Sequence, residues 1–127
     1  MGAEPMRVLI ADDEPLARDR LRALLAEQAG VALVATAHDG QAALDACAEH
    51  HPDVVLLDIS MPDMGGESAC AHIRARSEWN AIRVIAYTAH AMSEDADRFR
   101  ANGFNAVLIK PITLASLTQA MGHPEQC

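Results

Sequence analysis

Basic residues are scarce in this sequence. Its 127 residues include 10 Lys and Arg against 18 Asp and Glu, for a formal charge of −8. A domain charged this way is a poor nucleic-acid binder, because phosphate contacts are made by Lys and Arg. Long apolar runs are absent as well. No stretch approaches the ~18–20 residues of a membrane-spanning helix, so no membrane association is expected. The opening MGAEPMRVLIADD lacks the extended apolar core of a secretory leader, and its short apolar run ends in acids. A cytoplasmic location is the resulting expectation. Cys47, Cys70 and Cys127 are odd in number and show no C-x-x-C spacing. They read as reduced thiols, two of them packed on helices. The adjacent pair His50–His51 does not face one way on a helix and reads as a surface helix end. The one tryptophan, Trp79, reads as half-covering a loop rather than as a stacking platform. Linkers, repeats and low-complexity tracts are missing too. The chain therefore reads as one domain over residues 1–127, with a core from about 6 to 122 and no output domain.

What is present is an alternation. Asp53–Asp58 (DVVLLD) is a short, continuous apolar run between Pro52 and Pro62, the pattern of a strand buried on both faces. Similar runs occupy Arg7–Ala11, Val31–Ala35, Arg83–Tyr87 and Ala106–Ile109. Helical periodicity fills the gaps. Ala17, Leu21, Leu24, Leu25 and Gln28 share a face of a helix that begins at Pro15 and is ended by Gly30, with Arg18, Arg20 and Arg22 pointing elsewhere. Gln41–His50 turns Leu44, Cys47 and Ala48 inward after an Asp39-Gly40 turn, and Glu67–Arg76 turns Ala69, Cys70 and Ile73 inward. Met61–Gly66 and Ser77–Ala81 read as loops. Ser93 starts a helix with Ala96 and Phe99 inward, and a last helix from Thr113 buries Leu114, Leu117 and Met121. Strand and helix repeated five times predict an α/β domain with a parallel sheet and right-handed crossovers.

The C-terminal strand ends carry the chemistry. Asp12 and Asp13 follow the first strand, Asp58 ends the third, Thr88 follows the fourth and Lys110 the fifth. In an open α/β sheet those ends line the ligand crevice. Two like charges ~4 Å apart repel by about 4 kcal/mol at an effective dielectric of ~20. Three gathered carboxylates therefore call for protons or a cation. An all-oxygen set suits Mg²⁺, and no His or Cys stands at ligand spacing near these acids to suggest zinc. A carboxylate can also act as a nucleophile and form an aspartyl phosphate. Transfer of a phosphoryl group needs neutralisation of its oxygens, which a cation, the Lys110 ammonium and the Thr88 hydroxyl would share. Taken singly, each of these residues has a blander reading: helix-start acids, a loop acid, a strand threonine, a solvated lysine.

The segments ADDEP (Ala11–Pro15), LLDISMPDMGG (Leu56–Gly66), YTAHAM (Tyr87–Met92) and KPI (Lys110–Ile112) come in the order and at the positions of a known family. Along essentially its whole length the chain resembles a response-regulator receiver domain of two-component signalling, single-domain or of the hybrid-kinase type. The resemblance implies a flavodoxin-like (βα)5 fold, a doubly wound five-stranded parallel sheet of order 2-1-3-4-5. It implies that Asp58 is the phosphoacceptor, that Asp12, Asp13, Asp58 and the Ser60 backbone carbonyl serve Mg²⁺, and that Thr88 and Lys110 engage the phosphoryl group. It implies a cis Lys110–Pro111 bond. The implied partners are a histidine kinase or histidine phosphotransfer protein and a downstream protein target, with the chain a monomer or an activation-dependent dimer. Such a domain is not an enzyme beyond catalysing its own phosphorylation and slow dephosphorylation.

Three features depart from the family pattern. Val107 stands where a switch aromatic is usual, Met64-Gly65-Gly66 replaces Met-Asp-Gly, and Glu67 replaces an apolar residue. His90, two beyond Thr88, is either a tuner of phosphate lifetime or an exposed loop residue. The alternatives are a Mg²⁺-dependent aspartyl-nucleophile phosphatase of the haloacid-dehalogenase kind, a flavodoxin-like cofactor binder and an unphosphorylated pseudo-receiver used for docking. The phosphatase needs a general acid two residues past the nucleophile, where Ser60 stands. The cofactor binder needs a Gly-, Ser- or Thr-rich first loop, where Asp12-Asp13-Glu14 would repel phosphate.

Overall fold

The computed structural model describes residues 4–61, 64–89 and 93–121. Pro62, His90, Met92, Cys127 and the side chain of Ala96 lie outside the described residues. The elements run β1 (Met6–Ala11), α1 (Pro15–Ala26), β2 (Val31–Ala37), α2 (Gly40–His50), β3 (Val54–Asp58), α3 (Gly66–Arg74), a 3-10 turn (Ser77–Trp79), β4 (Arg83–Thr88), α4 (Ser93–Ala101), β5 (Ala106–Ile109) and α5 (Leu114–Met121). All strand pairs are parallel and the order is β2-β1-β3-β4-β5. Strand-to-helix alternation and sheet order thus match the expectation.

The sheet divides the core because side chains alternate along each strand. Leu9, Val55, Leu57, Val84 and Ala86 face α2, α3 and α4, where they meet Cys47, Cys70, Ile73, Phe99 and Phe104. Val8, Ile10, Val54, Leu56, Ile85 and Tyr87 face α1 and α5, meeting Leu21, Leu25, Leu117 and Met121. Every residue of β3 is buried, which fits its position at the centre of the sheet. Each such apolar side chain contributes roughly 1.5–3 kcal/mol by leaving water.

Several boundaries differ from the sequence reading. Helix α1 ends at Ala26, not at Gly30; Gly30 adopts φ 78° in the turn into β2, and its carbonyl accepts from Met6 N–H. Gln28 therefore leaves the helix, and its amide donates to Thr118 Oγ1 on α5. A register shift beside Val8 and Leu9 absorbs an extra residue of β2, so Thr36 and Ala37 still pair with Ile10 and Ala11 and the strand outlasts Ala35. In α2 Gly40, Ala43 and Cys47 are buried and Leu44 packs half-buried against the same core, as expected, whereas Ala48 is exposed. Asp39 is the N-cap of that helix and accepts from Ala42 N–H. Trp79 is buried rather than half-covered, with the Arg76 guanidinium 4.2 Å from its ring centroid. Asp53 precedes β3 and braces it, accepting from Arg7 N–H and bonding through its own backbone to Arg7 and Arg83. Cys47 and Cys70 are fully buried free thiols on neighbouring helices, as expected.

Candidate functional site

Each functional residue is set by the end of a strand. Asp12 and Asp13 follow β1, where Asp12 N–H bonds the Ala37 carbonyl of β2. Asp12 then turns its carboxylate back on its own loop: Oδ1 accepts the Glu14 N–H at 2.9 Å. Glu14, the N-cap position of α1, makes no side-chain cap of its own, and Pro15 opens the helix. The Asp12 carbonyl accepts from Arg18 at 2.6 Å, so Arg18 reaches back to the acids instead of pointing away. Asp58 ends β3, and its Oδ1 accepts the Ser60 N–H at 3.1 Å. Thr88 ends β4 and is buried; its carbonyl accepts the Lys110 N–H at 2.9 Å, tying the end of β4 to the residue after β5. The Lys110–Pro111 bond is cis.

These ends converge. Asp12, Asp13 and Asp58 each offer a carboxylate oxygen, all within 4.8 Å of one another. Asp12 and Asp58 are buried and Asp13 is exposed, so the cluster has one open side. Lys110 Nζ lies 3.7 Å from Asp58 Oδ1 and 3.9 Å from Asp12 Oδ2, which places the ammonium between two carboxylates. Burial pushes the Asp58 carboxyl up to about 6; the Asp12 charge adds to this, while the Ser60 N–H and Lys110 oppose it. Hard, all-oxygen donors on one open cluster fit a small divalent cation such as Mg²⁺.

Helix α3 starts directly against the backbone of Asp58 and Ile59. A Cβ on Gly66 would sit 2.5 Å from the Asp58 carbonyl oxygen, so only glycine fits the contact. Gly40 meets the Met64 carbonyl in the same way and donates its N–H to it. Glu67, the departure at the start of α3, accepts from Asn102 at 3.4 Å and pairs with Arg98 at 3.4 Å, linking α3 to α4. Val107 is half-buried on β5 against the Phe99 and Phe104 cluster. It lines a groove of about 600 Å³ with Arg83, Arg100, Ile109 and Gln119.

Besides the reach of Arg18, the part played by Tyr87 at the cluster went unnoticed in the sequence. Tyr87 donates its hydroxyl to Asp12 Oδ2 at 2.7 Å, and its ring lies 5.1 Å from Lys110 Nζ. Burial and the two carboxylates push its phenol well above the ordinary range, so it remains a donor. The available signal was the strand period. Tyr87 is the cross-strand partner of Asp58, one residue before Thr88.

Residues 8–122 match the family model of the response regulator receiver domain. The polar-differentiation response regulator DivK of Brucella ovis is 37% identical over 107 residues, which are 84% of this chain and 85% of that protein. The transcriptional regulatory protein PdtaR of Mycobacterium tuberculosis is 35% identical over 120 residues, 94% of this chain but 57% of that protein. The chain thus spans little more than half of PdtaR. The signal receiver domain of the response regulator NarL from M. tuberculosis superposes with a TM-score of 0.84 at 32% identity, covering 94% of each chain. CheY in a CheX–CheY–BeF3–Mg complex from Borrelia burgdorferi gives a TM-score of 0.85 at 28% identity, covering 93% of this chain and 87% of that one.

Proposed function

Since the chain belongs to the response regulator receiver domain family, whose members are signalling switches served in general by Mg²⁺, histidine kinases and downstream targets, we propose that Asp58 is its phosphoacceptor. The observation that carries this reading is the Lys110 ammonium held between Asp58 and Asp12, beside three carboxylates gathered within 4.8 Å. Nucleophile, counter-charge and cation ligands meet at one point.

Asp12, Asp13 and Asp58 would hold Mg²⁺, with the Ser60 carbonyl as a fourth oxygen. The cation supplies charge neutralisation for the phosphoryl oxygens. The Asp58 carboxylate attacks phosphorus in line with the phosphorus–nitrogen bond of a phosphohistidine. A carboxylate oxygen–phosphorus bond forms, and the phosphorus–nitrogen pair returns to the donor imidazole, which ends neutral once its proton balance is restored from solvent. Lys110 holds one phosphoryl oxygen as an ammonium, and the Thr88 hydroxyl donates to another. The Asp58–Ser60 contact also argues against turnover as a phosphatase. Ser60 touches Asp58 through its N–H and brings no general acid to the leaving group.

A histidine kinase or a histidine phosphotransfer protein is the proposed donor, and a downstream protein the proposed receiver of the altered surface. Incubation with acetyl phosphate or beryllofluoride and Mg²⁺ tests this. One adduct per chain is expected, located at Asp58 by mass spectrometry and absent from Asp58→Ala. An adduct undiminished in that variant, or none on the wild type, would overturn the assignment.

A further inference from the structure

Among the described residues, Tyr87 brings an aromatic ring against the acids and uses both parts of itself there. The ring is buried between β4, α1 and α5, with Ile10, Leu21 and Leu117 in the same cluster. This packing fixes the phenol, which has few rotatable bonds to lose. Its hydroxyl bonds Asp12 Oδ2 at 2.7 Å and lies 3.3 Å from the Ala11 carbonyl. Asp12 Oδ1 is already occupied by Glu14 N–H. One donor on each oxygen defines the plane of a carboxylate that is itself fully buried. Lys110 Nζ lies 5.1 Å from the ring centroid, within the range of a cation–π contact, and 3.9 Å from the same Oδ2.

We propose that Tyr87 is a positioning residue of the cation and phosphoryl site. Its hydroxyl fixes the plane in which Asp12 faces the divalent cation, and its ring seats the Lys110 ammonium between Asp12 and Asp58. The proposal rests on the phosphoacceptor reading above. It adds a residue that acts on the acid and on the ammonium rather than on the phosphoryl group. Partners that orient a metal's carboxylates from behind typically account for 10–100-fold in metal affinity. The two parts of the side chain separate cleanly. Tyr87→Phe keeps the ring and removes the donor; Tyr87→Leu removes both.

The full-length chain is used, with folding of each variant confirmed by circular dichroism. Mg²⁺ affinity is measured by calorimetry, and the rate of adduct formation with acetyl phosphate is measured across a Mg²⁺ series. In Tyr87→Phe the Mg²⁺ Kd rises about tenfold. The Mg²⁺ concentration for half-maximal rate rises with it, and the rate at saturating Mg²⁺ stays near wild type. In Tyr87→Leu that saturating rate falls as well. A merely structural hydroxyl would lower stability and leave the Kd in place, as is expected of the control Thr118→Ala, which loses a hydroxyl bonded to Gln28, beyond the C-terminal end of α1. A Kd for Tyr87→Phe within twofold of wild type overturns the proposal. The wild type supplies a check independent of any variant. Tyr87 is the only tyrosine in the sequence, so the carbon-13 resonance of its hydroxyl-bearing carbon must move with the calorimetric Mg²⁺ midpoint, and an unmoved resonance also overturns it. A wild type that forms no Asp58 adduct defeats the phosphoacceptor reading instead, and the Mg²⁺ measurements remain readable.

Discussion

Asp58 is a carboxylate held where a carboxylate is costly. Burial, with the Asp12 charge beside it, pushes its carboxyl from 3.8 up to about 6. Below the lower value, folded and unfolded chains both hold the proton and the site costs nothing. Between the two, the unfolded chain has released its proton while the folded chain retains it, so stability falls as pH rises and levels off above about 6. The difference of roughly two pH units corresponds to about 3 kcal/mol. Asp58→Asn removes that charge with little change of shape. In metal-free buffer the variant is expected to exceed wild type by about 3 kcal/mol at neutral pH and by almost nothing near pH ~4. Urea denaturation at the two pH values measures this, and an equal gain at both would contradict it. The residues of the site differ in how openly the sequence displayed them. Asp12, Asp13, Asp58, Thr88 and Lys110 each close or follow an apolar run, so the strand pattern pointed straight at them. Tyr87 and Arg18 were hidden because their roles depend on what stands across the sheet or one helical turn away.

At the scale of elements, the meeting of β3 with the start of α3 is a tight joint beside the cluster. Adding a methyl group at Gly66 would put it 2.5 Å from the Asp58 carbonyl oxygen and 2.9 Å from Ile59 Cα, and both obstacles are backbone. Backbone cannot swing aside as a side chain can, so α3 or the end of β3 must shift. Gly66→Ala is expected to cost about 1–3 kcal/mol, as overpacked sites do, and to slow adduct formation on Asp58 as well. A urea midpoint and a rate both at wild-type values would show that the joint is looser than its contacts indicate. The same scale explains which elements were legible. The five strands were, because a central parallel strand is an unbroken apolar run. Ends were less so. Gly30 does adopt the left-handed geometry expected of a terminating glycine, yet it shapes the entry to β2 after α1 has already stopped. Ala48 shows the limit of apolar periodicity, since an alanine is small enough to sit at a water-facing position. Trp79 is buried by a 3-10 turn and an arginine stacked on it, neither of which leaves a periodic trace.

At the scale of the whole molecule, an acidic chain concentrates three of its carboxylates on one sheet edge. Repulsion there strains the folded state alone, because unfolding disperses the charges. A divalent cation should therefore raise the melting temperature, by an amount set by how far its concentration exceeds Kd: about 1.4 kcal/mol of stabilisation at ten times Kd. Chelation should reverse the gain, and Asp13→Ala should lose most of it. A melting temperature indifferent to Mg²⁺ in wild type would mean that the cluster does not take the cation. The opposite flank of the architecture has a practical consequence of its own. Cys47 and Cys70 are sealed between the sheet and helices α2 and α3, with burial pushing both thiols up to about 11. A thiol of that kind is inert to alkylating reagents until the wall in front of it opens. In a Cys127→Ser background, labelling of these two sulfurs would act as a clock for the opening of that flank, read without any probe having to be introduced.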